Sequence, residues 1–269
     1  MLVFDEKKYA EDIVKNKKYN TIKNQGRERC ILVRYLTYIG YDESQIRNQL
    51  SKIPMSGGEY LTSKNKELIY SKIINKANEY EFINGISIDI YQCELDTIMS
   101  LEDAYARHLL FIYLVYYKWG IQVNHLRFYS KKNDIMMVIE NNSDLWKLAG
   151  LSKLRVSDRY RICNMLYNKG LYKIDNFKTC NYIYIPFAIT GQTNKEPTIE
   201  ISNYSNILGE IMMYENPDEY KRCIICGEVI KKSRSPKKYC LNCGRLENIR
   251  KTKLNKKSLK TQNELAFMK

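Results

Sequence analysis

Apolar positions recur at helical spacing along much of the chain, and the breaks between runs mark the predicted elements. Residues 1 to about 80 read as helical. In 27–39 (RERCILVRYLTYI), Cys30, Val33, Leu36 and Tyr38 or Ile39 fall near helical spacing. Gly40 then ends that helix, and Asp42-Glu43-Ser44 opens the next over QIRNQLSKI. Two short amphipathic helices joined at a glycine permit a helix–turn–helix, but ordinary packing explains them more simply. Met55-Ser56-Gly57-Gly58 predicts a loop, without the downstream Gly-Lys-Ser/Thr of a phosphate loop. A further helix covers about 64–80, and 85–92 (GISIDIYQ) alternates like a short strand. Over 101–119, Leu101, Tyr105, His108, Ile112, Val115 and Trp119 form one stripe. Leu109, Leu110 and Tyr113 make the opposite side apolar too, so this helix is expected at the centre of the core. His108 lies on that stripe and reads as a hydrogen-bonded core residue; His125 is the other histidine.

A sharper order of elements begins at Ser143. Residues 144–150 (DLWKLAG) predict a short helix and 151–154 a turn, and Ser157 suits the N-cap of a helix running to Asn168. Lys169-Gly170 ends it. A strand over 171–174, a basic turn over 175–179 and a strand over 182–187, stopped by Pro186, follow. Helix, turn, helix, strand, turn, strand, with the 101–119 helix as first member, is the order of a winged helix. On the 157–168 helix, Val156, Tyr160, Cys163 and Tyr167, flanked by Ile162 and Leu166, are expected to pack. Arg161, Asn164 and Asn168 lie roughly opposite. Arg and Asn make bidentate contacts to guanine and adenine edges in a major groove, although any amphipathic surface helix shows such a face. Residues 188–203 read as a polar loop into a strand (TIEIS), 205–214 as a short helix, and Asn216-Pro217-Asp218 as a linker.

The strongest chemical signal follows that linker. Cys223-x2-Cys226 and Cys240-x2-Cys243 stand thirteen residues apart. Two such knuckles suit one tetrahedral metal ion, each supplying two thiolates from a tight turn, with room between them for a short hairpin. Zn2+ fits best, as one structural ion in a closed four-thiolate shell. Gly227 and Gly244, after each second cysteine, suit turns that need positive φ. Two disulfides, or four unrelated cysteines, are the weaker alternatives. Cys30, Cys93, Cys163 and Cys180 have no mutual spacing, and nothing resembles a small secreted disulfide scaffold.

Charge is concentrated in the same place. The chain carries +14, and residues 221–260 hold fourteen Lys and Arg against Glu228 and Glu247, a net +12 that leaves +2 elsewhere. A compact positive module is the expected footprint of a polyanion binder, since each cation near a phosphate releases condensed counterions. The bland alternative is a solvated tail that aids solubility. Membrane binding is not expected, because the segment reads as lacking an apolar face to insert. At 269 residues and 44% hydrophobic, the chain is long and apolar enough for two or three small units. The expected architecture is mainly α with small β. A helical region spans 1–82, a winged-helix-like domain 83–215, a zinc ribbon 220–245 and a basic tail 246–269. The first residues lack a signal-peptide apolar core, and the longest apolar run, 109–117, is far below the roughly 20 residues that span a bilayer. A soluble, cytoplasmic protein is expected.

ISIDIYQCELDTIMSL, LLFIYLVYYKW, DLWKLAGL…LYNKGLY and CIICGEVI…KKYCLNCG together resemble a loose group of proteins from bacteriophages and mobile elements of low-GC Gram-positive bacteria. The resemblance covers about 83–250 and implies a helical N-terminal half, a winged-helix-like centre and a zinc ribbon with a lysine-rich end. It implies a genome context and no mechanism.

The function expected is nucleic-acid binding, with DNA favoured over RNA, by a transcription or replication regulator or accessory factor. Arg155, Arg161, Asn164 and Asn168, with Lys173 and Lys178 on the wing, are the candidate duplex contacts. Lys231, Lys232, Arg234, Lys237, Lys238, Arg245, Arg250, Lys251 and Lys253 are the candidate phosphate contacts. The alternative is an interaction protein that binds a host polymerase or defence component. An enzyme is not expected. A metal-dependent nuclease of the histidine-bearing knuckle type needs histidines that are absent here, and Asp89, Glu94 and Asp96 lack an accompanying lysine motif.

Overall fold

The computed structural model describes residues 5–19, 25–53, 62–127, 137–138, 143–177, 180–191, 193, 195–202, 206–233 and 238–253. The described chain is mainly helical, with short strands, and separates into two compact units, Met1–Tyr204 and Ser205–Lys269.

The first unit opens with α1 (Glu6–Asn16), α2 (Gln25–Tyr38), α3 (Glu43–Ser51) and α4 (Ser63–Asn78). Local chemistry sets their ends. The Asp5 carboxylate accepts from Lys8 N at 2.9 Å and caps α1. Gly40 turns the chain after α2 at φ +88°, a conformation a side chain would strain. Asp42 and Gln45 then form a reciprocal capping box at the start of α3. Ala10, Ile13, Ile31, Leu32, Val33, Leu36, Ile46, Leu50, Ile74 and Ala77 close a core between these helices. Glu6 is buried beside it, where its carboxylate accepts from both Arg34 and Ile83 N. The loop expected at 55–58 lies outside the described residues.

The rest of the unit is built on α6 (Ala104–Arg127). Leu109, Leu110, Phe111, Ile112, Leu114 and Val115 are all buried, so the middle of the helix is covered on every side, as its pattern predicts. His108 is only half-buried, and Tyr105 is exposed. Ahead of α6 stand β1 (Ile88–Ile90) and α5 (Gln92–Met99), a helix the sequence pattern did not separate. β1 pairs antiparallel with β5 (Ile199–Ile201), Ile88 opposite Ile201 and Ile90 opposite Ile199. A buried ion pair ties these pieces together. Lys118 Nζ reaches both oxygens of Glu94, at 3.0 and 2.9 Å, and the carbonyl of Asp89. Glu94 also accepts from Tyr91 N and Ile189 N.

After α6 come β2 (Met137–Val138), α7 (Ser143–Leu148), α8 (Val156–Asn168), β3 (Lys173–Phe177) and β4 (Cys180–Tyr184). The strands form one antiparallel sheet in the order β2-β4-β3. Arg155, not Ser157, is the N-cap of α8, and no side chain closes that end. Residues 175–177, expected in a turn, continue β3. The packing face of α8 also differs from expectation. Ile162 and Leu166 are fully buried, whereas Val156, Tyr160 and Tyr167 are 65, 66 and 52% exposed. The aliphatic pair centres the buried side, and the tyrosines fall some 100° or more away around the helix.

The second unit holds α9 (Ile207–Glu215), β6 (Tyr220–Arg222), β7 (Val229–Lys231) and α10 (241–253). α9 was expected to close the preceding domain, with a linker at 216–218. Instead it packs on the β6–β7 hairpin, and the division falls after Tyr204. The cause is a polar lock: Val229 N donates to Asn206 Oδ1 at 3.1 Å, while Glu210 accepts from Asn206 Nδ2 and from Nη1 and Nη2 of Arg222. Gly209 leaves room for it, because a Cβ there would stand 2.7 Å from Asn206 Oδ1 and 3.0 Å from Val229 Cβ.

Candidate metal centre and basic surfaces

The first knuckle is the tip of the β6–β7 hairpin, so the hairpin carries a knuckle instead of separating the two. Cys223 N donates to Glu228 O at 2.8 Å, and Gly227 N to Cys223 O at 2.9 Å. Gly227 sits at φ +72°, as its place after Cys226 predicts. Gly244 does not follow that expectation, because the second knuckle runs directly into α10 and Gly244 is one of its helical residues. Gly244 N donates to Cys240 O at 2.8 Å, and Cys243 N to Cys240 Sγ at 3.4 Å. Ile224 N, bonded to Lys238 O, joins the two knuckles.

The four sulfurs of Cys223, Cys226, Cys240 and Cys243 lie within 4.8 Å of one another, and Cys226 Sγ stands 3.7 Å from Cys240 Sγ. Cys223, Cys240 and Cys243 are buried, with Ile230 and Tyr239 packed over them; Cys226 is exposed. Their acidities diverge. Burial pushes the Cys223 thiol up, yet backbone hydrogen bonds from Cys226, Cys240 and Ile225 outweigh it and bring it down to about 6. Cys243 is driven well above the ordinary thiol range, first by its hydrogen bond with Cys226 and then by burial. Like charges this close oppose one another, so a full set of thiolates needs a cation among them. This donor set could hold a metal ion, and it is the one such group among the described residues.

The basic residues of this unit fall into two kinds. Lys231 pairs with Glu219 at 2.9 Å, Arg250 with Glu247 at 2.7 Å, and Lys232 donates to Pro217 O. Lys238, Arg245, Lys251 and Lys253 are exposed. Arg234 and Lys237 lie outside the described residues. The expectation that this segment lacks an apolar face needs correction. Ile224, Ile225, Leu241, Leu246 and Ile249 are all exposed, and an open cleft of about 1050 Å³ beside the second knuckle is lined by Lys238, Tyr239, Leu241, Arg245 and Ile249 among others. The lysines and arginines dominate the segment's composition and hide these five aliphatics until the turn of the first knuckle and the phase of α10 are known.

On the first unit, Arg155, Asn164, Asn168 and Lys173 are exposed. Arg161 is exposed too, but its guanidinium reaches Asp103 Oδ2 at 3.2 Å. Asp103 is itself fixed, because its other oxygen accepts from Tyr105 N and Ala106 N and caps α6. Lys178 lies outside the described residues. Sequence reasoning missed the exposed Val156, Tyr160 and Tyr167 on this face. The signal was present in the phase of Ile162 and Leu166, four residues apart and purely aliphatic.

The three carboxylates weighed for nuclease chemistry are also placed. A lysine does approach Glu94, namely Lys118, near a cleft of about 450 Å³ that Asp89 and Tyr91 also line. Both Glu94 oxygens are consumed by Lys118 and two backbone N–H groups, and Asp96 accepts from Gln92 Nε2 at 2.7 Å. That arrangement braces the fold. No helix among the described residues is long and apolar enough to cross a membrane. Comparison of the chain with protein-family models, with curated proteins and with solved structures returned no match.

Proposed function

We propose that this chain is a DNA-binding protein, a regulator or accessory factor of transcription or replication in a phage or mobile element, held in part by one structural zinc ion. The observation that carries the reading is α8. Its outward face bears Asn164 and Asn168, and it follows α6, β2 and α7 and precedes β3 and β4. That succession, with the sheet order β2-β4-β3, supports a winged helix in which α8 enters the major groove. The exposed Lys238, Arg245, Lys251 and Lys253 add sequence-independent phosphate contacts from the second unit. Tetrahedral zinc with sulfurs at about 2.3 Å implies neighbouring sulfurs about 3.8 Å apart. The 3.7 Å between Cys226 and Cys240 suits that ion. A closed four-thiolate shell leaves no position for substrate, so the ion's part is structural.

The test is binding of the full chain to fluorescent duplex across a salt titration, alongside metal analysis. Salt-sensitive binding by a protein carrying one zinc per chain is expected. A zinc-loaded, folded protein that ignores duplex at low salt would sink the reading. It would favour the alternative, a protein partner in the host, for which the five exposed aliphatics around the knuckles are the supporting observation.

A further inference from the structure

We infer that the exposed face of α8 reads A·T base pairs in duplex DNA, an inference that rests on the DNA-binding function proposed above. Three observations lead there. The first draws the guanine reader toward the protein. Among the side chains along the middle of this face, Arg161 is the one suited to bidentate contact with guanine, and its Nη2 is turned to Asp103 at 3.2 Å, a carboxylate locked into the cap of α6. The second is what remains. Asn164 and Asn168 are the side chains that pair bidentately with the N6 and N7 edge of adenine, and both are exposed. The third is the company they keep. Val156, Tyr160 and Tyr167 stand exposed on the adjoining part of the same face, where apolar groups meet the thymine methyl, a group that projects only into the major groove.

Charge places the duplex on this face. Lys153 and Arg155 are exposed at the N-terminal end of α8, and Lys169 and Lys173 at its C-terminal end. The thirteen residues between span about 20 Å, so the cations straddle a groove about 12 Å wide and meet the phosphates on both sides. Asp158, the acid within the helix, is half-buried away from this face, and Asp103 is engaged by Arg161.

The experiment is selection of binding sites from randomised duplex by the full, zinc-loaded chain, followed by affinity measurements on the selected site. The recovered site should contain a core of A·T pairs. Asn164→Ala and Asn168→Ala should each lose about 5- to 150-fold on that site and little on random duplex. Arg161→Ala should leave the preferred bases unchanged. Replacing thymine by deoxyuridine in the selected duplex removes only the methyl groups, and should weaken the native chain more than it weakens a chain in which Val156, Tyr160 and Tyr167 are all replaced by serine. Circular dichroism and melting of each variant separate lost contacts from lost fold. A G·C core, or equal affinity for thymine and deoxyuridine duplexes, overturns the inference. Salt-sensitive binding with no enriched sequence overturns it too, while leaving the general DNA-binding reading intact. No duplex binding at low salt removes both. A preference for single strands would assign Tyr160 and Tyr167 to base stacking and also overturn it.

Discussion

Lys118 and Glu94 illustrate how much of this molecule hangs on single buried charges. Lys118 is pulled down in pKa by burial, and Glu94 supplies the opposing charge that keeps it ionised. Each is tolerable only because the other is there. Lys118→Met leaves a fully buried carboxylate with two backbone donors and no cation, and should cost about 3–5 kcal/mol in a denaturant melt. Replacing both residues by apolar ones of similar size should recover much of that loss. Stability of the single variant equal to the native chain would mean Glu94 is solvated in solution. None of this was legible in advance. Lys118 and Glu94 are 24 residues apart and sit in unremarkable local sequence, and their pairing exists only after α5 packs on α6. Gly40 and Asp42 were legible, because a positive φ and a capping box are local chemistry written in adjacent letters.

At the scale of the element, α8 divides cleanly into what holds it and what it offers. Leu166→Ala or Ile162→Ala should destabilise the first unit by about 2–5 kcal/mol, since both side chains are fully buried. Tyr160→Ala should stay within about 0.5 kcal/mol, since its ring is mostly in solvent. Thermal or chemical melts of the three variants decide the matter. Similar losses for Tyr160 and Leu166 would mean that the tyrosine face is covered. The sequence pattern pointed to the wrong stripe because tyrosine counts as apolar in a periodicity and behaves as amphipathic on a surface. The two-residue strand β2 escaped for another reason, as a pairing that short has no alternation to display. The knuckles were legible throughout, since metal geometry constrains spacing more tightly than packing does.

For the whole molecule, the boundary after Tyr204 sets where the chain is cut. A chain ending at Tyr204 should keep its fold and its base preference but lose much of its salt dependence. If about six phosphates meet the second unit, the slope of log K against log salt should become shallower by about 5, leaving the share carried by the cations around α8. An unchanged slope would move the phosphate contacts to the first unit. Chelation should act on a matching division. Structural zinc contributes about 10–16 kcal/mol of apparent binding free energy in small modules, so its removal should unfold the second unit, α9 included, and spare the first. Limited proteolysis with and without chelator reads this directly: protection of 207–215 that survives chelation would show that α9 stands without the metal. The expected linker at 216–218 gave no hint of this, because the Asn206–Val229 lock that binds α9 to the hairpin is tertiary.

The pairing of β1 with β5 has a consequence for synthesis. On the ribosome, Ile83 emerges long after Glu6 but soon enough for the first four helices to close their core unaided. The middle of the unit has no such autonomy. Glu94 waits for the amide of Ile189, and β1 waits for residues 199–201, while α6, apolar on all sides, is already outside the exit tunnel. A nascent chain halted before residue 189 therefore presents that helix without the strands that complete its cover, and it is at this length that capture by a chaperone, or misassociation between chains on one messenger, should be greatest.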